Sequence, residues 1–488
     1  MITAVLSGNA SPDLEQVLGE LLRNPLVRNA VFLQSSGTPV SRLRCETRVC
    51  DGPLCGETWN ALLAGSAASY ILFVPDAGGV RPDLRAPERL LEAAEAAGAS
   101  MVYADYAERT GGDLRERPLI DCQLGSLRDG FDFGPLILIS TAAARQALRR
   151  YGKVPPFRWA GWYDLRLKLS TDRLPLRLPE RLAIVDADRG EAAGHFAYVD
   201  PANRAPQEEM EQAVTAHLKR IGAFLEPGFL DVPRAAGPFP VEASVIIPVK
   251  NRVWTVADAV KSALAQKPDF AFNVIVVDNH STDGTTALVA DLAERSPSLV
   301  HIVPKRKDLS IGGCWNEAIF SAACGRYAVQ LDSDDLYREG ALQRLADLMR
   351  GQNCAMAVGS YTLVNERLEE IPPGLVDHRE WTEANGRNNA LRINGLGAPR
   401  AFDTALLRHV GFPNVGYGED YAVSLRLSRE YRIGRIFESL YLCRRWEGNT
   451  DASPSVEQMN RYDLYKDRLR TLEIRARRKM NGVRGWRS

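Results

Sequence analysis

The sequence predicts an α/β protein made of two similar domains in tandem. Three observations carry this expectation. Short apolar runs alternate with helix-period segments through residues 243–331, the same order of segments recurs in worn form in the first half, and a proline-rich stretch separates the two halves. With 488 residues the chain exceeds the roughly 250–300 at which single hydrophobic cores stop growing. Hydrophobic residues make up 45% and charged residues 25%, which excludes a long disordered or fibrous body. Lys+Arg and Asp+Glu both number 61, and a formal charge of zero argues against bulk attraction to nucleic acid.

In the second half, Ala243-Ser-Val-Ile-Ile-Pro248 reads as a buried strand. Thr255 to Gln266 follows with helical spacing at Val256, Ala259, Val260, Ala263 and Leu264. The strand Phe272-Asn-Val-Ile-Val-Val277 ends in the polar run Asp278-Asn-His-Ser-Thr-Asp-Gly284. A helix over about 285–295, a strand near Val300 to Val303, a helix over about 313–324 and the strand Tyr327 to Leu331 complete the alternation. This pattern predicts a parallel, doubly wound sheet with right-handed crossovers. Ligands then sit beyond the carboxyl ends of the strands, so the loops after Val249, Val277 and Leu331 should share one site.

Four segments of the first half match the second in the same order. Ala4-Val-Leu-Ser-Gly-Asn9 parallels Ile246 to Asn251, and Val31-Phe-Leu-Gln34 parallels Ile275 to Asp278. Trp59-Asn60 with Tyr70 to Val74 parallels Trp315-Asn316 with Tyr327 to Leu331, and Met101 to Tyr106 parallels Met356 to Tyr361. An ordered recurrence at near-constant separation is the mark of a duplication. Domains are therefore expected at 1–205 and 241–455, joined by a linker over 206–240 and followed by a tail over 456–488.

Pro206 to Phe224 reads as an amphipathic helix whose acidic residues come early and whose Lys219 and Arg220 come late, which suits the helix dipole. The prolines between Glu226 and Pro240 preclude either regular element. From Arg461 onward the chain carries ten Lys/Arg against three Asp/Glu, read either as a solvated helix end or as a surface for an anionic acceptor or membrane. Eight cysteines in so long a chain give no disulfide-scaffold signal. Cys45, Cys50 and Cys55, with Cys122 as a fourth, lack the usual C-x2-C knuckle, and free thiols are the expected state over a structural metal. Without a signal-like N-terminus or a long apolar run, a soluble, cytosolic protein is expected.

The chemistry should lie in three acidic sites. Leu331-Asp-Ser-Asp-Asp335 places three carboxylates at the end of a buried strand, where they repel one another unless protons or a cation neutralise them. Asp332 and Asp334 point to the same side of an extended chain and suit Mg²⁺ or Mn²⁺ with phosphate oxygens completing the shell. A solvated Asp-rich turn is the other reading. Gly418-Glu-Asp420 opens a helical stretch, either as dipole stabilisers or as a base aimed into a cleft. Asp278 ends a strand on the same rim and either binds a pyrimidine imide or ribose or caps the turn that follows.

The strings VIIPVKNR, VVDNHSTDGT, GGCWNEAI, LDSDD, NGLGAPRAFDTALLRHVGF and GYGEDYAVSLRL, in this order over residues 243–450, resemble the family 2 glycosyltransferases of GT-A fold. The resemblance implies two tandem GT-A, Rossmann-like domains, one of them worn. It also implies metal-assisted, inverting transfer from a nucleotide sugar, most often a UDP-sugar. By position, Pro248, Asn251, Asp278 and Asn316 resemble the nucleotide-sugar contacts, Asp332 and Asp334 the metal-binding DxD pair, and Asp420 with Glu419 the base of the ED motif. Asn394 to Arg400 and the GGCWN segment would shape the sugar and acceptor cleft. Many relatives carry a histidine late in the domain where Trp446 stands here, which leaves Arg444 and Arg445 to hold the diphosphate.

In the first half Pro75-Asp-Ala77 stands for Asp332-Ser-Asp334, Gln34 for Asp278, and Trp162-Tyr-Asp164 lies near the place of Gly418-Glu-Asp420. This copy is expected to be non-catalytic. The acceptor is left open among saccharide, lipid-linked, peptide and small-molecule hydroxyls, with peripheral membrane contact through the basic tail. The competing readings are a sugar-nucleotide-binding scaffold and a dual-site polysaccharide polymerase. A sugar-nucleotide pyrophosphorylase is disfavoured because Val249-Lys-Asn-Arg252 lacks the Gly-rich loop that class needs.

Overall fold

The computed structural model describes residues 1–8, 12–35, 45–186, 203–233, 237–446, 449 and 454–482. They fall into two compact units, one of Met1–Ala197, Ala202–Phe224 and Ser455–Ser488, the other of Tyr198–Pro201 and Leu225–Pro454.

The first unit contains β1 (Ile2–Ser7), β2 (Val27–Gln34), β3 (Glu46–Val49), β4 (Tyr70–Val74), β5 (Val80–Pro82), β6 (Met101–Thr110), β7 (Asp113–Arg117), β8 (Ile137–Ser140) and β9 (Leu176–Asp186). The second contains β10 (Ala243–Val249), β11 (Phe272–Asp278), β12 (Leu299–Ile302), β13 (Tyr327–Gln330), β14 (Leu336–Tyr337), β15 (Met356–Val364), β16 (Glu370–Val376), β17 (Arg400–Asp403) and β18 (Ile433–Arg444). Strand for strand the two sheets have one topology. The first runs β3-β2-β1-β4-β8-β6-β9-β5 with β7 on β6, and the second runs β12-β11-β10-β13-β17-β15-β18-β14 with β16 on β15.

The sheets are mixed, which corrects the expectation of a wholly parallel one. Four strands of each unit pair in parallel as the alternation implied. In the second unit β17 then inserts antiparallel between β13 and β15, as β8 does between β4 and β6. Residues 377–399 carry the chain back to the end where β13 finishes, so β17 starts on that rim. Its first residue, Arg400, consequently lies beside the carboxyl end of β13.

Sheet register equates the units residue by residue. Ile2 pairs with Tyr70 as Ala243 pairs with Tyr327, so Ala4 corresponds to Val245, one residue away from the match with Ile246 that the sequence suggests. Asn9 of that match lies outside the described residues. Gln34 and Asp278 do correspond, since Leu33 pairs with Ser7 as Val277 pairs with Pro248. The scaffold repeats at the level of single atoms. Asn60 Nδ2 donates to the Val154 carbonyl and its Oδ1 accepts the Val154 N–H, and Asn316 does the same with Phe412. Gly56 and Gly312 are where two segments touch, for a Cβ on either would lie 1.9 Å from the carbonyl oxygen of Pro155 or Pro413.

The helix Arg204–Arg220 and the terminal helix Val456–Met480 both group with the first unit. Glu209 accepts the N–H groups of Arg158, Trp159 and Ala160. The basic segment is no solvated tail over its helical part. Arg470 and Arg477 are fully buried, Arg470 pairs with Asp467 at 2.8 Å and Arg477 with Glu473 at 2.7 Å, and Arg128 pairs with Asp463 at 2.7 Å. These charges are neutralised inside the unit and give no support to membrane contact. Residues 483–488 lie outside the described residues. Of the proline-rich linker, 234–236 do too, while Leu230 bridges to Tyr431 and Phe229 lies under Arg387 and Arg432, so this stretch runs along the second unit. Among the described residues no helix is long and apolar enough to cross a membrane.

Candidate active site

The carboxyl ends of β10, β11 and β13, the start of β17, the end of β18 and the first turn of the helix Glu419–Ser428 converge on one rim of the second sheet. Leu331 is fully buried and Asp332 to Asp335 turn away from the strand end. Gln330 Nε2 donates to both oxygens of Asp332, at 3.0 and 3.1 Å. Asp334 Oδ2 accepts from Trp446 Nε1 and from Asn449 Nδ2, each at 3.2 Å, and lies 3.9 Å from Arg252 Nε. Asp335 is buried and accepts the Arg444 N–H at 2.7 Å. Burial, and after it the charge of Asp334, lifts the Asp332 carboxyl above its ordinary range, and Asp335 is raised further by burial and by both neighbours. Three carboxylates crowded this way repel one another unless protons or a cation neutralise them. Among the described residues no three His, Cys, Asp or Glu side chains converge to hold a cation by protein ligands alone. The eight cysteines are all free thiols.

Glu419 and Asp420 open their helix behind Gly418, which adopts φ +81°. Glu419 is buried, and desolvation followed by the adjacent Asp420 pushes its carboxyl up to about 8. Asp420 is about a quarter exposed, with its Oδ2 2.5 Å from Arg400 Nη2. Arg400 Nη1 reaches Gln330 Oε1 at 3.1 Å. The two carboxylates thus differ in access: Asp420 faces the rim and Glu419 faces the protein.

The other residues singled out in the sequence divide into two groups. Asn251 (φ +54°) and Asp278 build the loop at the ends of β10 and β11. Asn251 Oδ1 accepts the Thr282 N–H at 2.8 Å, and the wholly buried Asp278 accepts the Ser281 N–H at 3.0 Å and bonds Thr286. Pro248 lies in the strand beside Val277. These three shape the loop floor at the ends of β10 and β11, with Asp278 acting as the cap of its own turn. Both ends of the Asn316 amide bond Phe412, and Asn60 repeats the arrangement with Val154. Arg444 is also drawn aside: its Nη2 lies 3.4 Å from Asp258, and its contribution at the rim is its backbone N–H to Asp335. Arg445 donates its backbone N–H to the Val364 carbonyl at 2.7 Å.

Sequence reading missed Gln330, Arg252 and the individual part played by Arg400. A glutamine inside an otherwise apolar strand was the available signal for the first, since a buried amide needs partners. It also set Trp162-Tyr-Asp164 near the place of Gly418-Glu-Asp420, which makes Asp164 the counterpart of Asp420. Tyr163 and Tyr421 are each the third residue of their helix, and each donates its hydroxyl to a backbone carbonyl, of Leu127 and of Ala390. Trp162 therefore corresponds to Asp420, while Asp164 pairs with Lys168 one turn on.

Residues 244–412 match the model of glycosyl transferase family 2, and the second unit carries a domain of that family. Similar proteins include the UDP-Glc:alpha-D-GlcNAc-diphosphoundecaprenol beta-1,3-glucosyltransferase WfgD of Escherichia coli, 27% identical over 40% of this chain and 72% of that protein. The glycosyltransferase RC0461 of Rickettsia conorii is 27% identical over 40% of this chain, and the chain spans 32% of its length. The succinoglycan biosynthesis protein ExoO of Rhizobium meliloti is 32% identical over 25% of this chain and 34% of its own. Among solved structures, residues 1–349 of Staphylococcus aureus TarS in complex with UDP-GlcNAc align at 22% identity and a TM-score of 0.37, covering 48% of this chain and 72% of that one.

Proposed function

We propose that the protein is an inverting glycosyltransferase with one active site, in its second unit, using a nucleotide sugar and by preference a UDP-sugar. The observation that carries this reading is the placement of Asp420, about a quarter exposed, on the same rim as Asp332 and Asp334 and joined to Asp332 through Arg400 and Gln330. A base and a leaving-group site facing one cleft are what a single displacement at a sugar carbon requires. The acceptor oxygen forms a bond to that carbon as the bond to the diphosphate breaks and the electron pair leaves with the phosphate. The acceptor proton passes to Asp420. Glu419, buried and held up to about 8, stays protonated near neutral pH and does not compete. A divalent cation, when bound, supplies positive charge to the departing diphosphate. Asp332 and Asp334 are the residues that would hold it, as one or two carboxylates with phosphate oxygens and water suffice for Mg²⁺ or Mn²⁺. The Escherichia coli relative's lipid-diphosphate saccharide acceptor supports an acceptor of the same kind here.

Asp420→Asn keeps the size of the side chain but cannot take a proton. With UDP release from a panel of UDP-sugars in Mn²⁺ as the assay, turnover should fall about 10²- to 10⁴-fold while UDP affinity is kept. If Asp420 only stabilises the helix dipole, stability drops by about 0.3–1 kcal/mol and the rate stays near wild type.

A further inference from the structure

Sheet register aligns the surroundings of Asp420 with their counterparts in the first unit. Phe73 pairs with Ile137 in β4 and β8 where Gln330 and Arg400 stand in β13 and β17, and Trp162 holds the helix position of Asp420. In the second unit these positions form an unbroken polar path, Asp332 to Gln330 to Arg400 to Asp420, with contacts of 3.0, 3.1 and 2.5 Å. In the first unit the path is wholly apolar. Phe73 and Trp162 pack with ring centroids 5.1 Å apart, Trp59 joins them, and Ile137 lies in the same core. The copy that has Pro75 and Ala77 for Asp332 and Asp334 has thus lost the connecting residues as well as the terminal ones. Scaffold pairs such as Asn60 and Asn316 are retained in both. A residue needed for the fold alone would be expected among the retained ones.

We propose that Arg400 is a positioning residue of the transfer reaction, orienting Asp420 by its Nη2 and tying it through Gln330 to Asp332, so that the base and the donor end are set as one rigid arrangement. This rests on reading Asp420 as the base. Two donors of a planar guanidinium in fixed geometry do what a lysine's single ammonium cannot. The charged groups facing Asp420 are Glu419 on its own helix, Asp332 beyond β13 and Arg400 on β17. The Arg400 Nε is buried without a hydrogen-bond acceptor among the described residues, so the guanidinium is not placed to satisfy its own donors.

The test compares Arg400→Ala, Arg400→Lys and Asp420→Asn with wild type, following UDP release to water from whichever of UDP-glucose, UDP-N-acetylglucosamine and UDP-galactose the wild type turns over in Mn²⁺. Both Arg400 variants should lose about 10- to 100-fold in kcat, the loss typical of an outer-shell partner, with the donor KM little changed. Added guanidinium should restore part of the rate to Arg400→Ala and none to Asp420→Asn. Should Arg400→Ala fail to fold, the lysine variant decides alone. Wild-type kcat in a folded Arg400 variant while Asp420→Asn is inactive overturns this proposal and leaves the base assignment standing. Normal turnover in Asp420→Asn, or no turnover of any donor by the wild type, overturns the underlying reading and this one with it.

Discussion

Glu419 and Asp420 are chain neighbours with the same functional group, and their surroundings set them apart. The folded value of Glu419, about 8 against an ordinary 4.5, lies above the unfolded one. The folded state therefore holds a proton that the unfolded state releases. The stability this contributes is fully present below about 4.5 and is lost as pH rises through 8. Glu419→Gln removes the linkage, so the variant's melting temperature should gain on wild type steadily between pH 5 and 8.5; parallel curves would contradict the assignment. The acidic residues at this rim were legible in the sequence because carboxylates at a strand end and a helix start stand out from an apolar background. Arg400 and Gln330 were not individually legible, since their meaning lies in a contact between β13 and β17 that depends on β17 entering the sheet antiparallel.

At the scale of the element, strand and helix positions in the second unit followed closely from periodicity, with the strands at 243, 272 and 327 starting where the apolar runs start. The sheet's mixed direction did not, because direction is set by where residues 377–399 return the chain rather than by any pattern within a strand. The amides of Asn60 and Asn316 each tie a helix to a distant loop through two backbone groups. Replacing either by Ala leaves a carbonyl and an N–H without their partner, at about 1–3 kcal/mol per unsatisfied buried group. Denaturant unfolding should show comparable losses for Asn60→Ala and Asn316→Ala. A large loss of UDP affinity in Asn316→Ala without loss of stability would return that residue to the nucleotide site.

Over the whole molecule, two units of one topology have diverged in what fills the rim, polar in the second and aromatic in the first. The terminal helix looked solvated in the sequence because its charge run hides an alternation of buried and exposed cations. In the fold Asp467 is fully buried and receives Arg470 and Ser126. Asp467→Ala strands buried cations and should cost about 3–5 kcal/mol, read by urea unfolding; a loss under 1 kcal/mol would return the helix to the surface. On the proposed reading the second unit alone binds the donor, and titration calorimetry of UDP with Mn²⁺ into the full chain decides it. One site per chain, abolished by Asp334→Ala, is the result predicted, and two sites, or one that survives Asp334→Ala, would contradict it.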